Sequence, residues 1–295
     1  MRKYCENAEN TPETYDALVK LLNERDDVRQ WTKDNRLCIQ IPGMFQGNLC
    51  APLGVILRQL QKKFPRIMLY SKNEITNLFL TNNFYPELMA HAHPKEDVDH
   101  IMIHYREFPS DINMYDTFTD YLDKELLRDR LPQMSDLLWD AFTDNLAEIF
   151  NNAVTHSECD RIFACGQYFK NTNRFDFSIA DSGIGICKCL SKNKIDLDSL
   201  DAIEWAITKG NTTKTYTSGG LGLSLVREFI ELNKGRLQII SDTGFWEWNH
   251  EEIIKKTLTF RFPGTIINIE IDTSDASSYC LVKEMEKENN TNGDC

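Results

Sequence analysis

The chain has 295 residues and a formal net charge of −12, with 33 lysines and arginines against 45 aspartates and glutamates. This acidic balance disfavours nonspecific binding to duplex DNA. The sequence has neither an apolar run long enough to span a bilayer nor the apolar stretch of a signal peptide near its first residue. Nine cysteines without paired spacing favour a reducing compartment. We therefore expect a soluble, cytoplasmic protein that binds neither membranes nor nucleic acid.

Residues 1–110 are expected to form a small α/β domain. After a helical segment at 11–33, the apolar pattern alternates between strand-like and helical runs in the order β-α-β-α-β. These runs lie at 37–41, 52–64, 66–70, 72–84 and 100–108. The rhythm loosely resembles that of STAS-like modules, which implies an interaction domain that recruits a protein partner. Its one glycine turn, Gly43–Gly47, has neither the lysine nor the spacing of a phosphate-binding P-loop.

A second domain is expected at 111–272, after a segment rich in turn-forming residues at 108–114. Its predicted helices lie at 115–131, 136–156, 200–208 and 221–232, and its predicted strands at 161–169, 174–180, 236–241, 257–262 and 266–271. The remaining residues, 273–295, are polar and of mixed charge, which is typical of a mobile tail.

Three polar side chains recur at every fourth position near the end of the helix predicted at 136–156. Glu148, Asn152 and His156 therefore lie on one helical face, about one turn apart. The opposite face is apolar and wide enough to pack on a sheet, with Phe142, Leu146, Ile149, Phe150 and Ala153. Such spacing by itself is typical of any solvated helical face, so its meaning depends on the motifs that follow.

Three glycine-containing turns follow this helix. Asp181-Ser-Gly-Ile-Gly185 comes directly after a predicted strand, and its glycines allow the backbone to approach a flat ligand closely. Gly219-Gly-Leu-Gly222 precedes an apolar-periodic helix, and such a helix N-terminus suits a phosphate group. Pro263-Gly264-Thr265 leads into an alternating strand. Each turn alone is most often a simple connection. The helix and the three turns together, in this order, are unlike a coincidence.

In this order the helix and the turns resemble the ATP site of the GHKL superfamily, which includes gyrase, the heat-shock chaperone, histidine kinases and the mismatch-repair ATPase. The resemblance implies an α+β fold in which residues 111–272 form a two-layer α/β sandwich, the Bergerat fold. Its mixed sheet would be covered by helices on one face. The resemblance also implies binding of ATP and Mg²⁺, with the segment between Gly185 and Gly219 as a lid over the nucleotide.

The resemblance further implies a role for each motif residue. Glu148 would be the general base that orients the attacking water, and Asn152 would hold Mg²⁺ together with phosphate oxygens. Asp181 would accept a hydrogen bond from the amino group of adenine, with support from Thr265. Gly183 and Gly185 would leave room for the base. The residues expected near the phosphates are Gly219, Gly220, Leu221, Gly222 and the lid lysines Lys209 and Lys214.

Three functions stay open at this point. The chain is interpreted as a slow ATPase that acts as a nucleotide-dependent switch, with a serine/threonine protein kinase or an ATP-gated binding module as alternatives. The run from Glu148 to His156 resembles anti-sigma-factor kinases, although His156 is equally well explained as a helix-ending residue. A two-component sensor kinase is disfavoured because none of the six histidines has the setting of a phosphoacceptor. A DNA-gate ATPase is disfavoured by the acidic charge, and a homodimer stays open.

Overall fold

The computed structural model describes residues 7–23, 36–89, 91–208, 210–211 and 222–284. The helices are α1 (Pro12–Asn23), α2 (Cys50–Gln61), α3 (Asn73–Thr81), α4 (Phe84–Leu88), α5 (Tyr115–Glu125), α6 (Asp136–His156), α7 (Ile186–Lys192), α8 (Ser199–Ile207) and α9 (Gly222–Asn233). The strands are β1 (Asn7–Ala8), β2 (Arg36–Gln40), β3 (Met44–Phe45), β4 (Arg66–Tyr70), β5 (Met102–Pro109), β6 (Gln133–Met134), β7 (Arg161–Phe169), β8 (Arg174–Asp181), β9 (Arg236–Asn249), β10 (Ile253–Asp272) and β11 (Ser278–Tyr279). None of the helices in these ranges is both long and apolar enough to cross a membrane.

A five-stranded sheet forms the centre of the fold, in the order β5-β7-β8-β10-β9. Every pair of neighbouring strands in it is antiparallel. The α/β sandwich expected from the sequence is confirmed. The sequence analysis expected a mixed sheet, whereas the observed sheet is antiparallel throughout. Each of its four pairings joins strands that run in opposite directions.

One face of the sheet packs against α5, α6, α8 and α9. The long helix α6 begins where the Ser135 hydroxyl accepts a hydrogen bond from the Leu138 backbone N–H at 3.1 Å, which is an N-cap. From there α6 buries Phe142, Leu146, Ile149 and Phe150 in a single apolar core shared with the sheet. These are residues of the predicted apolar stripe, so α6 is held with its opposite, polar face turned away from that core.

The other face of the sheet is covered by the N-terminal part of the chain, whereas the sequence analysis expected helices on one face. Helices α1 and α2 pack on this face and share a second apolar core with it. The centre of the contact is polar, because neighbouring strands place Ser178, Asn268 and Gln238 side by side on it. All three side chains are buried. The α1–α2 layer therefore covers a sheet face that has a polar centre among apolar side chains.

Asn10 is the centre of the hydrogen bonds in this buried contact. Its Oδ1 accepts hydrogen bonds from the Tyr15 hydroxyl at 3.1 Å and from Asn48 Nδ2 at 3.0 Å. Its Nδ2 donates to Asp176 Oδ2 at 3.4 Å, and its backbone carbonyl accepts from Gln238 Nε2 at 2.9 Å. Asn10 thus joins the N-terminal layer to two strands of the sheet, and these directional bonds define how the layer is placed.

We expect Asn10→Ala to lower the free energy of unfolding by about 1–3 kcal/mol, because its buried partners would lose hydrogen bonds without gaining water. Urea denaturation monitored by circular dichroism measures this change. The matched control is Asn77→Ala, which removes an exposed side chain that accepts one bond from Lys95. The control should change stability by no more than about 0.5 kcal/mol. Equal losses in the two variants would contradict the role of Asn10.

Strand β5 links the two domains that the sequence analysis expected. The sequence analysis placed this strand in the N-terminal unit, but it pairs with β7 and forms an edge of the central sheet. Its Glu107 carboxylate is buried and contacts Arg58 of α2 at 2.9 Å and Arg161 of β7 at 3.3 Å. A cut after residue 110 would thus remove one strand and divide this ion-pair cluster. The division into 1–110, 111–272 and 273–295 stays a prediction, and its first boundary lies next to β5.

The segment after the sheet differs from the expected mobile tail over its first twelve residues. Strand β11 pairs with β6, and the Tyr279 ring packs against Phe229 with ring centroids 5.2 Å apart. The Ser135 hydroxyl donates to Glu284 Oε2 at 2.7 Å. Residues 273–284 are thus anchored next to the start of α6. The remainder, 285–295, lies outside the described residues.

Candidate functional site

A cavity of about 200 Å³ lies between α6, the α7–α8 region, the end of β8 and the part of β10 around Thr265. It is on the sheet face opposite to the N-terminal layer. The predicted site residues that line it are Glu148, Asn152, Asp181, Gly185 and Thr265, and His156 lines it as well. Residues separated by more than 100 positions in the sequence are therefore brought to one cavity.

Helix α6 supplies one wall of the cavity. Glu148, Asn152 and His156 all line it, as their spacing of four predicted. Each is partly exposed, while Ile149 beside them belongs to the apolar core. The helix thus presents a carboxylate, a carboxamide and an imidazole to the cavity while its apolar side fixes their position.

Asp181 is the buried acidic group of the site. It is the last residue of β8, only 5% exposed, and its Oδ1 accepts a hydrogen bond from the Gly183 backbone N–H at 2.8 Å. Burial raises the pKa of Asp181 to about 7, against the opposing effect of backbone hydrogen bonds from Gly183 and Thr265. The carboxyl group therefore changes charge close to neutral pH.

Two glycines are required by close packing around Asp181. A Cβ on Gly183 would lie 2.1 Å from the Ser157 carbonyl oxygen, and one on Gly264 would lie 2.0 Å from the Asp181 carbonyl oxygen. Gly264 also has a φ of +133°, which side-chain-bearing residues rarely adopt. The Ile184 N–H donates to the same Ser157 carbonyl at 2.7 Å. The Asp181 turn is thereby attached to the C-terminal end of α6.

Ser241 connects the remaining parts of the site, and sequence reasoning missed it. Its hydroxyl accepts a hydrogen bond from the Ile186 N–H at 2.8 Å, at the start of α7. The same hydroxyl lies 3.1 Å from the Thr265 hydroxyl. A serine in an alternating strand gives no signal of such a role, because its contacts depend on the pairing of β9 with β10.

The family model of histidine kinase-, DNA gyrase B- and HSP90-like ATPases matches residues 140–272. Those residues are a GHKL-type ATPase domain. The match begins inside α6 and ends with β10, so it includes Glu148, Asn152, Asp181 and Thr265. A search of curated proteins found no match to the chain.

The segment predicted to lie near the phosphates is described only in part. Gly222 is the first residue of α9, and the next residue, Leu223, lines the cavity. The helix predicted to meet the phosphates therefore begins at the cavity. The predicted residues Lys209, Lys214, Gly219, Gly220 and Leu221 lie outside the described residues.

Several cavity residues of the GHKL domain were not singled out from the sequence. Trp205 and Ala206 of α8 line the cavity, as do Cys189 and Leu190 of α7. Their signal in the sequence was weak, because short helices with apolar residues usually indicate core packing alone. Asn211 also lines the cavity and, like these four residues, lies within the segment predicted as the lid.

Proposed function

We propose that this chain is a Mg²⁺-dependent ATP-binding protein that hydrolyses ATP slowly and changes conformation with its nucleotide state. The observation that carries the proposal is the presence of Asp181, Asn152 and Glu148 in one cavity of a GHKL-type domain. Each supplies a different function, namely recognition of the base, binding of the metal and activation of water. None of the three residues could therefore take over the proposed role of another.

Asp181 determines the choice of base. The Gly183 N–H holds one oxygen of its carboxylate, and the ionised group accepts a further hydrogen bond from the adenine amino group. Guanine has a carbonyl at the equivalent edge, which an acceptor cannot bind. The proposed preference for ATP over GTP follows from this difference.

Asn152 and Glu148 are proposed to act at the phosphate end. The carboxamide oxygen of Asn152 suits Mg²⁺, which prefers oxygen ligands and keeps several waters. The bound ion would neutralise charge on the phosphates. Glu148, one helical turn earlier, is proposed to orient a water molecule and to accept its proton. The partly exposed position of both side chains is consistent with access for water and phosphate.

The N-terminal layer is proposed to connect nucleotide state to a protein partner. Asp16 of α1 accepts hydrogen bonds from the backbone N–H groups of Thr259 and Phe260 in β10, at 2.7 and 3.2 Å. The same strand carries Thr265 into the cavity. A cytoplasmic location, a homodimer and the STAS-like character of residues 1–110 stay predictions.

The fate of the terminal phosphate tests the proposal. The full chain is incubated with Mg²⁺ and ATP labelled on the γ-phosphate, and label is followed as free phosphate, on protein or in intact ATP. Slow release of free phosphate is expected. Label that moves to a protein would favour the kinase alternative, and tight binding without release would favour the ATP-gated module. Failure to bind ATP at all would contradict all three.

Base binding is expected to weaken as the pH falls, because the adenine amino group needs the ionised Asp181. The pKa of the Asp181 carboxyl group in the protein without ligand is about 7. Adenosine should therefore bind about tenfold more weakly at pH 6 than at pH 8. Adenosine is the ligand of choice because it has no phosphate to titrate. Calorimetric titration at both pH values measures the effect.

The control for this pH dependence is His156→Gln, since His156 also lines the cavity and histidines titrate in the same range. The pH dependence should persist in that variant. If it disappears there, or if the parent binds adenosine equally at both pH values, then Asp181 is not the group that controls binding.

A further inference from the structure

One side chain in the cavity has no role in the motifs described above. Among the described residues that line the cavity, Trp205 is the one phenylalanine, tyrosine or tryptophan. It is partly buried. Its neighbours on this side are the apolar side chains Ile186, Leu190 and Ala206. The cavity thus has aromatic and aliphatic side chains in its lining in addition to the polar side chains of α6.

Helix α8, which carries Trp205, is held firmly on the sheet. A Cβ on Gly244 would lie 2.8 Å from Ile203 Cδ1 and 2.9 Å from the Ser199 carbonyl oxygen, so α8 lies almost on the backbone of β9. Glu204 forms an ion pair with Lys255 at 2.5 Å. Ser199, Ile203 and Glu204 therefore hold α8 against the sheet, so that Trp205 is carried by a helix with fixed contacts.

Trp205 lies within the segment predicted as the lid, and its backbone connects to a later residue of that segment. Asn211 Nδ2 donates a hydrogen bond to the Trp205 carbonyl at 3.0 Å, and Asn211 itself lines the cavity. The carbonyl is thereby held in place from the cavity side. This bond fixes the backbone that carries the indole.

We propose that Trp205 is a nucleoside-binding residue whose indole stacks on the face of the base. The inference rests on the proposed function, since it concerns the same cavity and the same ligand. Aromatic side chains stack on any base, because every base has a π-face. Trp205 therefore supplies affinity that does not depend on the identity of the base, while Asp181 supplies the choice of adenine. The two contributions are separable by experiment.

The experiment compares Trp205→Leu and Trp205→Phe with the parent in titrations with ATP, GTP, adenosine and inorganic tripolyphosphate. Trp205→Leu should weaken ATP and adenosine by about 5- to 150-fold, the usual range for loss of one stacked base. Trp205→Phe should retain most of the affinity. Tripolyphosphate should bind all three proteins equally, and the ratio of GTP to ATP affinity should not change.

The matched control is Trp139→Leu, which removes a partly buried tryptophan of α6 that does not line the cavity. It should bind ATP like the parent. Tryptophan fluorescence adds a readout that does not depend on whether the leucine variant folds. ATP should quench the emission of the parent and of Trp139→Phe. The emission of Trp205→Phe should stay nearly unchanged when ATP is added.

The outcomes separate this inference from the function on which it rests. Suppose that the parent binds ATP, that Asp181→Asn does not, and that Trp205→Leu binds ATP like the parent. Stacking by Trp205 is then overturned and the proposed function stands. Quenching that persists fully in Trp205→Phe would also overturn stacking. If the parent does not bind ATP, the proposed function is overturned together with the inference.

Discussion

Glu148→Gln is expected to lower the rate of ATP hydrolysis by about 10²- to 10⁴-fold, the range by which a positioned general base accelerates proton transfer. The amide has nearly the same shape as the carboxylate but cannot accept the proton of water. Binding of ATP and Mg²⁺ should be retained, because the proposed metal ligand is Asn152. Steady-state phosphate release and equilibrium binding, measured on the same preparation, separate the two effects.

The matched control for this variant is Glu158→Gln, an exposed glutamate just beyond α6 that forms an ion pair with Lys192. It should hydrolyse ATP like the parent. Turnover by Glu148→Gln at the parental rate would show that another group is the base.

Asp181→Asn is expected to remove most of the affinity for ATP, by at least about 1–3 kcal/mol, which corresponds to about 5- to 150-fold in Kd. The Gly183 N–H requires an oxygen on one side of the side chain, so the new amide would present its NH₂ group to the adenine amino group. Two donors would then face each other in a buried site. Titration of the variant and the parent with ATP measures the loss.

Loss of binding by unfolding can be distinguished from this effect. The folded-state pKa of Asp181, about 7, lies above the ordinary value near 3.8. The folded protein therefore binds more protons than the unfolded chain between these values, and Asp181 lowers stability as the pH rises toward 7. At pH 8 the neutral asparagine should thus leave the melting temperature equal or higher. A variant that binds ATP like the parent, or a parent that binds GTP as well as ATP, would contradict the role of Asp181.

Local patterns in the sequence predicted much of the GHKL domain. The bounds of α6, 136–156, and those of β7, 161–169, agree with the sequence analysis, because both have strong periodicity and clear end signals. The position of Glu148 and Asn152 on one face of α6 follows from helical spacing alone. These features depend on neighbours in the sequence, which is why they could be predicted.

Features that depend on distant contacts could not be predicted in this way. The pattern of β5 indicates a strand but contains no information about its partner β7. Gln238 and Asn268 alternate with apolar residues as on a solvated sheet face, yet the N-terminal layer buries them. Strands β9 and β10 extend beyond the strands predicted from the sequence. In this outer part of the hairpin the two strands pair with each other, for example at Trp248 and Ile253.

The most direct test of the central claim is a crystal structure of the Glu148→Gln variant with ATP and Mg²⁺, since slow turnover should keep the nucleotide intact. We expect the adenine amino group to lie within hydrogen-bonding distance of Asp181, and the metal to contact the Asn152 side-chain oxygen. Nucleotide bound elsewhere on the chain, or bound in this cavity with its base turned away from Asp181, would contradict the account.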